Sequence, residues 1–147
     1  MAVIGVGNMY RRDDGLGHTV AVLLTGRVPG VAVMESDGEA VRLMEAWAGA
    51  RVAVVVDALR VHGGTPGRIH RLDAAGLASE QRRAANAHAV RLGDVVELAR
   101  VLDCLPERLV VFAVEVTDTG YGVGLSAPVA DAAATVADAI TRLLSHP

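Results

Sequence analysis

The stretch "VIGVGNMYRRDDGLG", from Val3 to Gly17, decides the fold. An apolar run rich in β-branched residues enters a Gly-x-Gly turn, and two arginines and two adjacent aspartates follow. A continuous apolar run is typical of a strand covered on both faces, and Asp is favoured in the first turn of a helix. The stretch therefore predicts a strand, a glycine-rich turn and a helix, the opening unit of an α/β protein.

The same alternation continues along the chain. Further strands are predicted at 31–35, 51–57, 67–73 and 108–116, and helices at 13–26, 39–49, 93–105 and 126–144. Asp94 is the predicted cap of the third helix, and the alanine-rich segment 74–90 is predicted to be a mobile loop. This order predicts one domain over residues 1–147, with a mostly parallel, mixed sheet of about five strands and helices on both faces.

The composition excludes several classes of site. The chain has 147 residues, one cysteine and no lysine, so an internal disulfide, a thiolate zinc cage and a Schiff-base lysine are all excluded. A net charge of −3 gives no indication of a nucleic-acid partner. No apolar run reaches the ~20 residues that cross a bilayer, and the chain opens directly into a strand without a basic leader. We therefore expect a cytoplasmic protein that does not insert into membranes.

Polar residues follow the predicted strands at the edge where open α/β sheets bind ligands. Asp57 ends the central strand, and His88 lies in the irregular segment, from which loops can fold over the same edge. The other candidates at this edge are Asn8, Asp13, Asp14, Glu35, Asp37 and Glu115. Several carboxylates and one imidazole can therefore converge on one rim of the sheet.

Each candidate also has a structural alternative. One aspartate of Asp13–Asp14 suffices as a helix cap, and Asp57 could cap the turn after its strand. A lone histidine such as His88 is more often a solvated surface residue. His18 stands four residues after Asp14 on the same helical face, where it could be a fourth donor or form an ordinary (i, i+4) pair with Asp14. His70 is predicted to be an exposed strand residue.

A dinucleotide site is the other interpretation of the Gly-x-Gly turn. The fingerprint requires a third glycine where this chain has Tyr10, and Asp13 and Asp14 would repel a pyrophosphate at the helix start. The residues alone therefore disfavour a nucleotide-binding enzyme without excluding it.

Four features together resemble the hydrogenase maturation endopeptidases. They are "VIGVGNMYRRDDGLG", "VAVVVDA", a histidine in the middle segment and "GVGLSAPV" before the last helix, in order along nearly the whole chain. These proteases remove the C-terminal extension of the large subunit of [NiFe] hydrogenase after nickel insertion. The resemblance implies a three-layer α/β/α sandwich and three metal-contacting side chains, Asp14, Asp57 and His88. It also implies a hydrolase of the metal-dependent or aspartic type, with Asp14 and Asp57 as the catalytic pair.

The resemblance further implies a nickel ion that comes with the substrate, the large-subunit precursor, so that the isolated protein need not contain it. Two carboxylates and one imidazole form a weak, open ligand set, which agrees with a metal ion that the substrate supplies. The sequence leaves open whether this metal or an aspartate activates the water.

Two departures from the family pattern bear on function. Asn86 and Ala87 precede His88 where small hydroxyl residues are usual. In the loop "ESDGEAVRL", Asp37 and Gly38 match the substrate-recognition loop, but Glu39 and Ala40 replace a second glycine and a threonine. A non-catalytic, nickel-dependent binding or chaperone module on the same fold is therefore the alternative function.

Overall fold

The computed structural model describes residues 1–77 and 87–146, and in residues 87–91 it describes the backbone alone. Five strands form one sheet in the order β2-β1-β3-β5-β4, in which only the β4–β5 pair is antiparallel. The strands are β1 (Ala2–Val6), β2 (Ala32–Ser36), β3 (Val52–Arg60), β4 (Ile69–Asp73) and β5 (Arg108–Val116). The predicted mostly parallel, mixed sheet of five strands is confirmed.

Helices cover both faces of this sheet. A 3-10 turn (Arg12–Gly15) precedes α1 (Leu16–Leu24), and α2 (Ala40–Trp47), α3 (Ala87–Val101) and α4 (Ala127–Ser145) follow. In the part of the chain that the structure describes, no helix combines the length and the hydropathy that a membrane span requires.

Two details of the predicted helices are wrong. The first helix was expected to start at Asp13, but a 3-10 turn occupies its first residues. The third helix begins at Ala87, so Asp94 lies in its middle and does not cap it. Within the predicted loop 74–90, residues 74–77 are helical, and residues 78–86 lie outside the described part of the chain.

The alternation of side chains along β3 separates two apolar cores. Val54 and Val56 pack with α1 and α4 on one face of the sheet. Ala53 and Val55 pack with α2 and α3 on the other face. Because strand residues alternate between faces, Asp57 lies on the face of Val55, under α2 and α3.

Two glycines bring α1 directly against β1. A Cβ atom on Gly5 would lie 2.2 Å from the carbonyl oxygen of Gly17, and one on Gly17 would lie 2.5 Å from the amide nitrogen of Val6. Both distances are far below van der Waals contact, so only glycine fits at either position. This close approach fixes the start of α1, and with it Asp14, at the carboxyl end of β1.

The central strand is longer than predicted. Its predicted end was Asp57, but β3 continues to Arg60 and stays paired with β5 over that length. β1 ends at Val6, so β3 extends beyond its neighbour, and the 3-10 turn contacts β3 there. Asp57 therefore lies level with the end of β1 but within β3.

Candidate active site

The Gly-x-Gly turn closes on Asp14. Gly7 has a φ of +138°, and a Cβ atom there would lie 2.1 Å from the carbonyl oxygen of Asp14. The amide of Asn8 donates to that carbonyl at 3.1 Å and to Oδ2 of Asp14 at 3.0 Å. A phosphate-binding turn needs such amides for its ligand. Here the amide of Asn8 is used by an acidic residue of the chain itself, which argues against a nucleotide site.

Asp13 has a different environment from its neighbour. It is 1% exposed, and its carboxylate accepts hydrogen bonds from the amide of Ser126 at 2.7 Å and from the Ser126 hydroxyl at 3.0 Å. Ser126 occupies the N-cap position of α4, but its side chain makes no capping bond to that helix. Asp13 thus joins the start of α4 to the start of α1, which is a structural role.

The loop of residues 117–125, which we call the rim loop, is bound to the turn that contains Asp14. The amide of Arg12 donates to the Gly122 carbonyl at 3.0 Å, and Gly122 donates to the Tyr10 carbonyl at 2.9 Å. The Arg12 guanidinium also pairs with Asp118 at 2.8 Å, and this hydrogen bond helps to hold the pKa of Asp118 below its ordinary value. These hydrogen bonds anchor the rim loop to the turn.

Apolar side chains stand out from this anchored rim. Tyr121 is 84% exposed, Val123 and Tyr10 are also exposed, and the Arg11 guanidinium lies 5.1 Å from the centre of the Tyr121 ring. An exposed apolar patch beside a candidate site is typical of a surface that contacts another protein.

Asp57 lies next to the Asp14 turn. In the β1–β3 register Gly5 pairs with Val56, so Asp57 is one position beyond the last pair, level with the end of β1. Gly7, against which Asp14 packs, directly follows that end. Asp57 is 8% exposed. The structure therefore brings both predicted aspartates to one edge of the sheet.

His88 is the second residue of α3, the helix that covers the same face as Asp57. Its side chain lies outside the described residues. Within residues 1–77 and 92–146, no three His, Cys, Asp or Glu side chains are grouped so as to hold a metal ion. The set of Asp14, Asp57 and His88 therefore stays a prediction.

The predicted recognition loop adjoins the same edge. Gly7 donates to the Ser36 carbonyl at 3.0 Å, and a Cβ atom on Gly38, whose φ is +87°, would lie 3.1 Å from Val6. Asp37 accepts from the amide of Glu39 at 3.0 Å and pairs with Arg42, and these contacts lower its pKa.

Glu39, one of the two departures in this loop, has a structural explanation. Its carboxylate accepts from the amides of Val41 and Arg42 and caps α2. A groove of about 480 Å³ opens between this loop and α3, with Leu98 partly exposed on its wall.

The remaining candidates form two other pairs. Glu35 lies inside β2 and binds His18 Nδ1 at 2.7 Å, so the expected pairing of His18 with Asp14 is wrong. Glu115 is 5% exposed and binds His70 Nε2 at 2.7 Å. No local pattern in the sequence indicates this second pair, because the antiparallel pairing of β4 with β5 brings together residues that are 45 positions apart.

Comparison with solved structures gives the same fold. The hydrogenase maturating endopeptidase HybD from E. coli superposes with a TM-score of 0.83 at 20% identity, over 98% of this chain and 91% of that one. HybD from Thermococcus kodakarensis superposes with a TM-score of 0.82 at 20% identity, over 97% of both chains. HycI from the same archaeon superposes with a TM-score of 0.72 at 22% identity, over 99% of this chain and 92% of that one.

Sequence comparison adds the family. A search among curated proteins gives no match. The family model HycI, described as hydrogenase maturation protease, matches residues 22–143, which include Asp57 and His88 and begin after Asp14. Because this match spans most of the chain, the protein belongs to the hydrogenase maturation protease family.

Proposed function

We propose that this protein is the endopeptidase that removes the C-terminal extension of a [NiFe]-hydrogenase large-subunit precursor after nickel insertion. Membership of the protease family supports the general activity. The observation that carries the proposal is that Asp14 and Asp57 lie at the same edge of the sheet, beside a turn in which the amide of Asn8 donates to Asp14 and not to a phosphate. Its single cysteine, which excludes an internal disulfide, supports a cytoplasmic place of action.

In this proposal the side chains of Asp14, Asp57 and His88 contact the nickel ion of the precursor. Carboxylate and imidazole groups bind first-row divalent metals, but without a thiolate the affinity is modest. The ion therefore arrives with the substrate, and cleavage depends on nickel loading. Specificity is then the difference in affinity between the loaded and the empty precursor.

Two routes can activate the water that attacks the peptide carbonyl. The nickel ion of the substrate can polarise that carbonyl, or Asp14 or Asp57 can accept a proton from the water as general base. In both, water oxygen bonds to the carbonyl carbon, the C–N bond breaks and the departing nitrogen receives a proton.

The test is processing of nickel-loaded and nickel-free precursor, with both products weighed by mass spectrometry. We expect cleavage of the loaded form alone, loss of cleavage in Asp14→Asn and Asp57→Asn, and a strong reduction in His88→Ala. Asp131→Asn, the same change on an exposed position of α4, is the matched control. Processing retained in both aspartate variants would refute the proposal.

The alternative is a non-catalytic module that binds the loaded precursor without cutting it. The altered loop residues Glu39 and Ala40 favour it, although the capping contacts of Glu39 explain one of these changes. The same assay separates the two functions, because a chaperone would form a nickel-dependent complex and leave the precursor at full mass. Thermal stabilisation by NAD or ATP, and not by nickel, would favour a nucleotide-binding enzyme.

A further inference from the structure

A second carboxylate–imidazole pair lies on the face of the sheet that carries Asp57. His70 Nε2 is 2.7 Å from Oε2 of Glu115, whose side chain is 7% exposed. Neither residue belongs to the nickel-contacting set proposed above. A buried carboxylate is costly unless it is well hydrogen-bonded, so this arrangement requires a reason.

The fold builds a specific site around Glu115. Oε1 accepts from the amide of Thr65 at 3.1 Å, and the Arg68 guanidinium lies 3.7 Å from Oε2. A Cβ atom on Gly64 would lie 2.5 Å from Oε1, so a glycine is needed for the turn to pass over the carboxylate. Burial raises the pKa of Glu115, but the hydrogen bonds from His70 and Thr65 outweigh it and the pKa lies below its ordinary value. The carboxylate is therefore held ionised.

An ionised acceptor fixes the tautomer of the neutral imidazole. Because Glu115 accepts the proton on Nε2, the lone pair of His70 lies on Nδ1. Carboxylates orient imidazoles in this way where the second ring nitrogen binds a metal ion or transfers a proton. The imidazole is about one-third exposed, and Nδ1 has no hydrogen-bond partner within the described part of the chain. His70 thus presents an acceptor that the fold does not use.

Strand register places this acceptor beside the candidate active site. His70 pairs with Ala113 on β5, and Ala113 pairs with Asp57 on β3, so the three residues are level and share one face. Adjacent strands are about 4.8 Å apart, so the Cα atoms of His70 and Asp57 are separated by about 10 Å. Ala113, which is 7% exposed, is the β5 residue between them.

We propose that His70 is a substrate-binding residue whose Nδ1 accepts a hydrogen bond from a main-chain N–H of the precursor peptide. This inference rests on the proposed function. An extended peptide advances about 3.3 Å per residue, so a peptide cleaved at Asp57 has its third residue from the scissile bond at His70. Glu115 is the positioning residue, because it keeps the lone pair on Nδ1.

The test is the kinetics of nickel-loaded precursor processing by His70→Gln. Glutamine keeps an N–H for Glu115 but has no acceptor at the position of Nδ1. We expect KM to rise about tenfold, as for one lost hydrogen bond, with kcat within about twofold and an unchanged melting temperature. His70→Asn, which returns an oxygen near the position of Nδ1, should recover part of the loss. His62→Gln makes the same change on an exposed loop and is the control.

The outcomes distinguish this inference from the function on which it rests. A KM in His70→Gln equal to that of the His62→Gln control overturns the inference, while loss of processing in Asp57→Asn upholds the protease. A fall in kcat at constant KM would place His70 in the chemical step and overturn the binding role. A smaller thermal shift of His70→Gln than of wild type with nickel alone would make His70 a metal ligand and would also overturn the binding role. A wild-type protein that does not cleave overturns both.

Discussion

Substitution of the two adjacent aspartates at the start of the first helix should affect different properties, stability for one and activity for the other. Asp13 is buried and accepts two hydrogen bonds from Ser126 at the start of α4. Asp14 lies in the turn after β1, where its carbonyl and carboxylate oxygens accept from Asn8. We expect replacement of Asp13 to reduce stability and replacement of Asp14 to abolish processing.

The magnitude for Asp13→Ala follows from these contacts. A hydrogen bond to a charged group contributes about 1.5–3 kcal/mol, but Ser126 is exposed and water replaces part of what is lost. The carboxylate also lies at the N-terminus of α4, which adds about 0.5 kcal/mol. We expect a loss of roughly 2–3 kcal/mol, which lowers the melting temperature of a chain of this length by roughly 5–10 °C.

Asp14→Asn keeps an amide oxygen that can accept from Asn8. We therefore expect its free energy of unfolding to change by less than about 1 kcal/mol, the size of one neutral hydrogen bond. Urea unfolding followed by circular dichroism measures both variants, and the precursor assay measures their activity. Equal destabilisation by the two substitutions, or a fully stable Asp13→Ala, would refute the assignment of structure to one aspartate and function to the other.

Three further predictions concern the fold, the Glu115 pair and the rim. Gly17→Ala should cost about 3 kcal/mol, because its Cβ would lie 2.5 Å from the Val6 amide; a melting temperature near that of the wild type would contradict this. The pKa of Glu115 is lowered from its ordinary value of 4.5, so its ionised carboxylate stabilises the fold at pH values above 4.5. This contribution is lost as the pH falls through the lowered pKa. The stability difference between wild type and Glu115→Gln in urea should therefore shrink from pH 7 to pH 3.5. Tyr121→Ala should change stability by less than about 1 kcal/mol and raise KM for the precursor, because its exposed ring contributes to the partner surface and little to packing; an unchanged KM would remove Tyr121 from that surface.

Local patterns predicted most elements of this fold. Apolar runs such as "VAVVV" identify buried strands because every residue of a central parallel strand faces a helix layer. The bounds were less accurate. Asp57 interrupts an apolar run, which predicts the end of a strand there, yet β3 stays paired with β5 as far as Arg60. Asp94 resembles a cap, but α3 begins at Ala87, seven residues before it.

By itself, the sequence determined the fold class, the edge of the sheet that carries the candidate site, and Asp14 and Asp57 as residues of that edge. These follow from strand order, since parallel strands end at one edge. Tertiary structure alone decided that Asp13 binds Ser126, that His18 pairs with Glu35, and that His70 faces Glu115. Such partners lie from 17 to 113 positions apart, and no local propensity records a contact that forms only when helices and strands pack.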